Sequence, residues 1–206
     1  MAQSASSTQH ASPPGRALIP LSLTALRALL GPLLVLLALY RPSPFAFGLC
    51  LVLAFLSDVF DGIIARRLNV ATPGLRRLDS LADSVFYLSA VFVAWRLHPE
   101  AIREHLGALA LLAALEIARY AFDLIKFRRE ASYHMWSSKC WGIALFVGFF
   151  ALLVFGQGGW PVALAIWVGI AADLEGLAIS VLLPVWRTDV PSVVHALRLR
   201  AAARGD

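Results

Sequence analysis

Residues 45–65 read FAFGLCLVLAFLSDVFDGIIA, an apolar run that carries two aspartates, Asp58 and Asp61, near its C-terminal end. The run is long enough to cross a bilayer, which takes about 20 apolar residues in a helix. A carboxylate in hydrocarbon is energetically costly, so acids inside a spanning segment indicate function. This stretch therefore predicts a membrane helix that carries part of a functional site.

The rest of the chain has the same apolar character. It has 206 residues, of which 59% are hydrophobic and 15% are charged, and its mean hydropathy is +0.73. A soluble domain would carry about 25% charged residues. The apolar segments lie at about residues 17–40, 45–65, 81–97, 106–127, 141–155 and 161–186. The sequence thus predicts an all-α, polytopic, multi-pass membrane protein with six transmembrane helices.

Basic residues are distributed unevenly between the connecting segments. Those between the second and third, between the fourth and fifth, and after the sixth apolar segments are Arg66, Arg67, Arg76, Arg77, Lys126, Arg128, Arg129, Lys139, Arg187, Arg198, Arg200 and Arg204. The alternate connections carry only Arg41, Arg96 and Arg103. The positive-inside rule then places both termini and the acidic residues in the cytoplasm, at the inner membrane if the chain is bacterial. Because topology accounts for the net charge of +5, no nucleic acid partner is expected.

Three regions follow from composition. Residues 1–15 are rich in Ser, Ala and Pro and predict a disordered arm. Residues 16–189 form the predicted six-helix membrane domain, and residues 190–206 a cytoplasmic amphipathic tail. The arginines of the tail either meet anionic lipid headgroups or remain solvated. Cys50 and Cys140 lack the spacing of metal ligands and predict no disulfide framework.

Two further aspartates follow the quoted run. Asp79 and Asp83 are four residues apart, and Asp58 and Asp61 are three apart, so each pair shares a helix face. The connection between the pairs holds Pro73-Gly74, a strong turn signal, so the two helices can bring all four carboxylates together.

Four such carboxylates would repel one another unless cations held them. Oxygen ligands favour Mg²⁺ or Mn²⁺, and two ions would balance the charge. No His or Cys accompanies the aspartates, which argues against zinc.

Small residues adjoin the second aspartate. Gly62 and Ala65 could leave a notch in which a phosphate or a flat ring approaches the backbone, or could serve close helix packing. Arg66 could clamp a phosphate or anchor the end of the helix.

The pattern Asp-x-x-Asp-Gly-x-x-Ala-Arg followed by Asp-x-x-x-Asp, residues 58–83, resembles the signature of the CDP-alcohol phosphotransferase (CDP-alcohol phosphatidyltransferase) family. Gly74 lies one position earlier than in the family pattern, while the aspartates keep their spacing. Residues 20–27, PLSLTALR, are similar to the family's Pro-Asn-x-x-Thr-x-x-Arg at the start of helix one, with Leu21 in place of Asn.

The resemblance implies a role for each matching position. The implied metal ligands are Asp58, Asp61, Asp79 and Asp83. Asp83 would also be the general base. The implied binding residues for the CDP-linked donor are Asp61, Gly62, Ala65, Arg66 and Thr72. Relatives are commonly homodimers, so the resemblance also implies a possible homodimer.

The activity implied is metal-dependent transfer of a phosphatidyl group from CDP-diacylglycerol, with release of CMP, in phospholipid synthesis. The acceptor would be a polar alcohol such as glycerol 3-phosphate or inositol phosphate. One alternative is a CDP-choline or CDP-ethanolamine type of phosphotransferase that acts on diacylglycerol. A different class, a cation-coupled membrane transporter, would use the acids as an ion site.

Arg119 and Lys139 are the candidate acceptor-binding residues, because a phosphorylated acceptor needs cations. Glu116 lies three residues before Arg119 and could neutralise it instead, with Asp123 as a further candidate partner. The acids of the last segment, Asp173 and Glu175, and the histidine His134 are given no catalytic role. One of the two acids is expected to pair with Arg119 or Lys139.

Overall fold

The computed structural model describes residues 18–68, 72–129, 133 and 135–202. The regular elements in this part of the chain are helices: α1 Leu18–Tyr40, α2 Pro44–Arg67, α3 Pro73–Leu97, α4 Pro99–Glu104, α5 Leu106–Phe127, α6 Trp136–Phe155, α7 Trp160–Leu182 and α8 Val193–Ala202. The all-α prediction is therefore confirmed. The arm predicted at residues 1–15 lies outside the described residues.

Five of these helices are long and apolar enough to cross a membrane: α1, α2, α3 from Arg77, α6 and α7. Large apolar side chains cover their outer surfaces, as at Leu29 and Leu88, which are each 70% exposed. Such surfaces suit contact with lipid rather than with water. Together with the helix lengths they define a multi-pass membrane protein.

The fourth predicted segment forms α5 with the expected bounds, but from its middle onward it carries Glu116, Arg119, Asp123 and Lys126. The described chain thus has five clear candidates, and the count of six spans stays a prediction.

Several helices begin or end away from the predicted bounds. The third segment was expected from residue 81, whereas α3 begins at Pro73, with the Thr72 hydroxyl accepting from the Leu75 amide at 3.2 Å. Hydropathy misses this part because its first turns are polar. The fifth segment was expected from residue 141, whereas α6 begins at Trp136. Polar residues in this first turn lower its hydropathy, so the apolar run begins later than the helix. The last segment was expected to reach residue 186, but α7 ends at Leu182, two residues before Pro184.

The chain divides into two compact units, with the boundary between Val93 and Ala94 inside α3. In the first unit, α1 and α2 pack side by side, and α1 lies close against α3 at Gly31. A Cβ atom at Gly31 would stand 3.1 Å from the Val85 carbonyl oxygen and 3.2 Å from the Phe86 Cα. Glycine thus permits a close approach of the two backbones, a common device between membrane helices.

In the second unit, α7 is the central helix and packs against α5, α6 and α8. The Lys126 ammonium donates to the Ser180 and Val181 carbonyl oxygens at 2.7 and 3.1 Å, which closes the C-terminal end of α7. The α8 helix docks through Ala196, which is fully buried in an apolar cluster. The members of this cluster are Tyr133, Met135, Ile179, Leu183, Val190 and Ala196.

Candidate active site

The four motif aspartates meet at one guanidinium group, that of Arg27 on α1. Its Nη1 donates to the Asp58 carboxylate at 2.5 Å and also to Asp83. Its Nη2 donates to Asp79 at 2.6 Å and also to Asp61. Because α2 supplies one pair and α3 the other, the carboxylates converge in the way that their spacing predicts.

The site has a closed side and an open side. The side chains of Arg27 and Asp61 are 2% and 6% exposed, so they form its floor. Asp58, Asp79 and Asp83 are between about one third and one half exposed. The site thus has three partly exposed carboxylates above a shielded floor.

The oxygen atoms offered by Asp58, Asp61 and Asp79 lie within 4.8 Å of one another. Asp83 is outside this group of three, but it shares Nη1 of Arg27 with Asp58. Hard oxygen donors at such separations fit Mg²⁺ or Mn²⁺. That one cationic group already contacts all four carboxylates shows that they point to a common place.

Arg27 was given no role by the sequence, although it lies in the motif-like stretch of residues 20–27. A charged arginine inside an apolar membrane segment costs free energy unless acidic partners surround it. The presence of Arg27 in such a segment was the sequence signal that could have predicted these partners. Its partners are distant in sequence, 31 residues away for Asp58 and 56 for Asp83. One helix turn earlier the Thr24 hydroxyl donates to the Pro20 carbonyl oxygen at 3.1 Å, so Thr24 serves α1 itself.

The residues expected to bind the donor lie around the end of α2 and the start of α3. The Arg66 guanidinium folds back beside Gly62, where a Cβ atom would stand 3.4 Å from its Nη1. Ala65 is buried, so it serves packing. Thr72 is exposed and caps α3. A donor-binding role for these residues stays a prediction.

The candidate acceptor residues belong to the second unit. The Arg119 guanidinium donates to Glu116 at 2.7 Å and to Asp173 at 3.1 Å, so its expected pairing with Glu116 and with one acid of the last segment is present. The Lys139 ammonium lies 4.4 Å from the centroid of the Trp136 ring. The acceptor role of both cations stays a prediction.

Two other polar residues have separate outcomes. The Glu175 carboxylate accepts from the Val193 amide at 3.3 Å, so it holds the first residue of α8 in place. His134 lies outside the described residues.

Tyr133, in the second unit, is a buried tyrosine. The Tyr133 hydroxyl and the Ser180 hydroxyl are 2.9 Å apart, and burial raises the pKa of the Tyr133 phenol. The phenol therefore stays protonated and acts as a neutral hydrogen-bonding group between the start of α6 and the end of α7.

Taken together, apolar helices and a converging aspartate quartet define a polytopic membrane protein with an acidic site. The family model for CDP-alcohol phosphatidyltransferase matches residues 17–186. The chain belongs to the CDP-alcohol phosphatidyltransferase family, as its motif indicates.

Curated relatives agree with this assignment. The chain is 38% identical over 106 residues to a CDP-diacylglycerol–glycerol-3-phosphate 3-phosphatidyltransferase of Escherichia coli strain K12. Proteins of the same name from Escherichia coli O157:H7 and Shigella flexneri serotype 5b match equally. The matched region is 49% of this chain and 53% of the relative. The chain therefore spans about half the length of the curated relatives that it matches. No solved structure matches significantly.

Proposed function

We propose that this protein transfers the phosphatidyl group of CDP-diacylglycerol to the hydroxyl of a polar acceptor and releases CMP. The observation that carries this proposal is the convergence of the four motif carboxylates at the Arg27 guanidinium. The name of the curated relatives favours glycerol 3-phosphate as the acceptor, with inositol phosphate as the alternative.

The aspartate quartet would hold one or two Mg²⁺ or Mn²⁺ ions, because its oxygens are close together and partly open to reactants. When bound, such ions neutralise the diphosphate of the donor and the charge that develops on the departing CMP. Four closely spaced carboxylates would gain stability from this charge balance.

Asp83 is the proposed general base. About one third of its side chain is exposed, which lets a carboxylate oxygen reach an acceptor hydroxyl. Asp83 takes the hydroxyl proton, and the acceptor oxygen forms a bond with the phosphorus distal to cytidine. The bond between that phosphorus and the bridging oxygen breaks, and CMP leaves with the bonding electrons. Asp61, Gly62, Arg66 and Thr72 border the place proposed for the nucleotide.

Lys139 is the stronger of the two acceptor candidates. Arg119 already donates to two carboxylates, which neutralise its charge. Lys139 is exposed and contacts an aromatic ring, an arrangement that leaves its ammonium available to a phosphate. A phosphorylated acceptor would gain a charge-assisted hydrogen bond there.

The proposed topology has six spans, with α5 as the fourth, and a cytoplasmic site. The basic residues near the ends of α2, α5 and α7 support it through the positive-inside rule. A donor with acyl chains in the membrane would then present its headgroup at the cytoplasmic boundary. A homodimer remains part of the proposal by family resemblance.

The decisive experiment measures CMP release and chromatographs the lipid product. Purified protein receives Mg²⁺ or Mn²⁺, labelled CDP-diacylglycerol and either glycerol 3-phosphate or inositol phosphate. We expect Asp83→Asn to retain Mn²⁺ binding and lose turnover by about 10²-fold or more, the usual contribution of a general base. Asp61→Ala should lose metal binding and activity together.

The control variant is Glu100→Gln, which removes one exposed carboxylate that pairs with Arg103 in the second unit. It should keep full activity. Turnover of Asp83→Asn at the wild-type rate would refute its assignment as the base. CMP release from CDP-choline with diacylglycerol would replace the proposed donor, and metal-coupled ion flux without CMP release would indicate a transporter.

A further inference from the structure

The acidic site contains its own cation. Arg27 is 1% exposed, and its two terminal nitrogens donate to all four aspartates. Arginine stays protonated in proteins, so this group brings a permanent positive charge into the cluster. The electrostatic need of the carboxylates is thus partly met by the protein itself.

We propose that Arg27 is a built-in counter-ion that holds the quartet together without metal and yields carboxylate oxygens when divalent cations bind. The inference rests on the proposed metal dependence and adds a regulatory step to the same site. In this scheme Arg27 and the divalent cation compete for the carboxylates, which sets how tightly the metal is held.

Charge explains why the two cations can alternate. The four carboxylates and Arg27 carry a net charge of −3 when all are ionised. The cluster therefore remains strongly attractive to a divalent ion while Arg27 is in place. A divalent ion would bind the same carboxylate lone pairs and would repel the guanidinium. The ion and Arg27 therefore cannot each contact all four carboxylates at the same time.

The location of Arg27 restricts the movement to its side chain. Close packing of Gly31 on α3 fixes the backbone of α1 one helix turn away from Arg27. The Arg27 Nε atom is buried and has no hydrogen-bond partner among the described residues. The guanidinium is thus held through its two terminal nitrogens, and loss of some of these contacts leaves α1 where it is.

The experiment compares wild type, Arg27→Gln and Arg27→Lys in the full-length, detergent-solubilised protein. Mn²⁺ affinity is measured by electron paramagnetic resonance, and thermal unfolding is followed with EDTA and with saturating Mn²⁺. Arg27→Gln should melt several degrees lower than wild type in EDTA, because the carboxylates lose their counter-ion. It should bind Mn²⁺ about tenfold more tightly, because a nearby unit charge that repels the metal is gone.

Arg27→Lys retains one charge but lacks the planar fork, so it should fall between the other two in both measurements. It also keeps the test valid if Arg27→Gln fails to fold. Arg119→Gln is the matched control, since Arg119 is another helix arginine that pairs with acids, in this case two. It should lower the melting temperature and leave Mn²⁺ affinity unchanged.

Two results have different meanings. If wild type binds Mn²⁺ and the Arg27 variants bind it equally or more weakly, the counter-ion proposal is wrong and the metal site stands. If wild type and every variant bind no Mn²⁺, the metal assignment in the proposed function is wrong, and the competition falls with it.

Discussion

At the scale of the residue, the protein handles charge by pairing it across helices. Besides Arg27, the clearest case is Arg119, whose guanidinium contacts Glu116 on its own helix and Asp173 on α7. The Asp173 side chain is 3% exposed, whereas that of Glu116 is 45% exposed. Removal of the arginine therefore affects the two acids differently, because the Asp173 side chain is enclosed by protein and the Glu116 side chain is only partly covered.

We expect Arg119→Met to destabilise the protein by about 3–5 kcal/mol, because it leaves a buried carboxylate without its cation. The double variant Arg119→Met/Asp173→Leu should recover most of this loss, since apolar residues replace a buried ion pair at little cost. Equilibrium unfolding in detergent tests both. A double variant no more stable than Arg119→Met would show that the ion pair itself is required.

At the scale of the element, small residues decide how closely the helices approach. Gly31 permits α1 to contact α3, and Gly148 permits α6 to contact α7, where a Cβ atom would stand 3.1 Å from the Ala165 Cβ. Hydropathy does not distinguish these glycines from others in the same helices. A Cβ atom at Gly142, also on α6, would have no neighbour within 4 Å among the described residues.

Gly31→Val should separate α1 from α3, lower the melting temperature and reduce CMP release, because it moves Arg27 relative to the aspartates of α3. Gly142→Ala is the matched control and should be neutral or stabilising by about 0.5–1 kcal/mol, the usual gain of alanine over glycine within a helix. Thermal unfolding and the CMP assay measure both variants. An active, stable Gly31→Val variant would contradict the importance of this contact.

At the scale of the whole molecule, the open question is whether α5 crosses the membrane. Its length of 22 residues is sufficient, but its charged second half sets it apart from the five clear candidates. Pairing of Arg119 with Asp173 lowers the cost of those charges, which supports a span. The ends of the chain lie on the same side of the membrane only if α5 does cross.

Single cysteines at positions 74, 129 and 157, introduced after Cys50 and Cys140 are replaced by serine, test this topology. With six spans, an impermeant maleimide should label Gly74→Cys and Arg129→Cys from the cytoplasmic face and Gln157→Cys from the opposite face. Inside-out and right-side-out vesicles provide the comparison. If α5 does not cross, Arg129→Cys will be labelled from the face opposite to that of Gly74→Cys. Gln157→Cys will then be labelled from the same face as Gly74→Cys.

Much of this could be predicted from the sequence, because the relevant signals are local. The apolar runs predict the helices, and the intervals within Asp58–Asp61 and Asp79–Asp83 place each pair on one helix face. The polar first turns of α3 lack an apolar signal, so its beginning at Pro73 was not predicted. Glu175 was left without a partner, and it was tertiary packing that placed it against the first amide of α8.

The sequence by itself determined an all-helical membrane protein, its family and the identity of its acidic residues, since run length and residue spacing act over a few turns. Only the tertiary structure decided that Arg27 stands among those acids, that Ala65 is buried and that Arg119 is already paired. The physical reason is that the burial and pairing of a charge depend on the distant helices that pack around it. No local pattern records those neighbours.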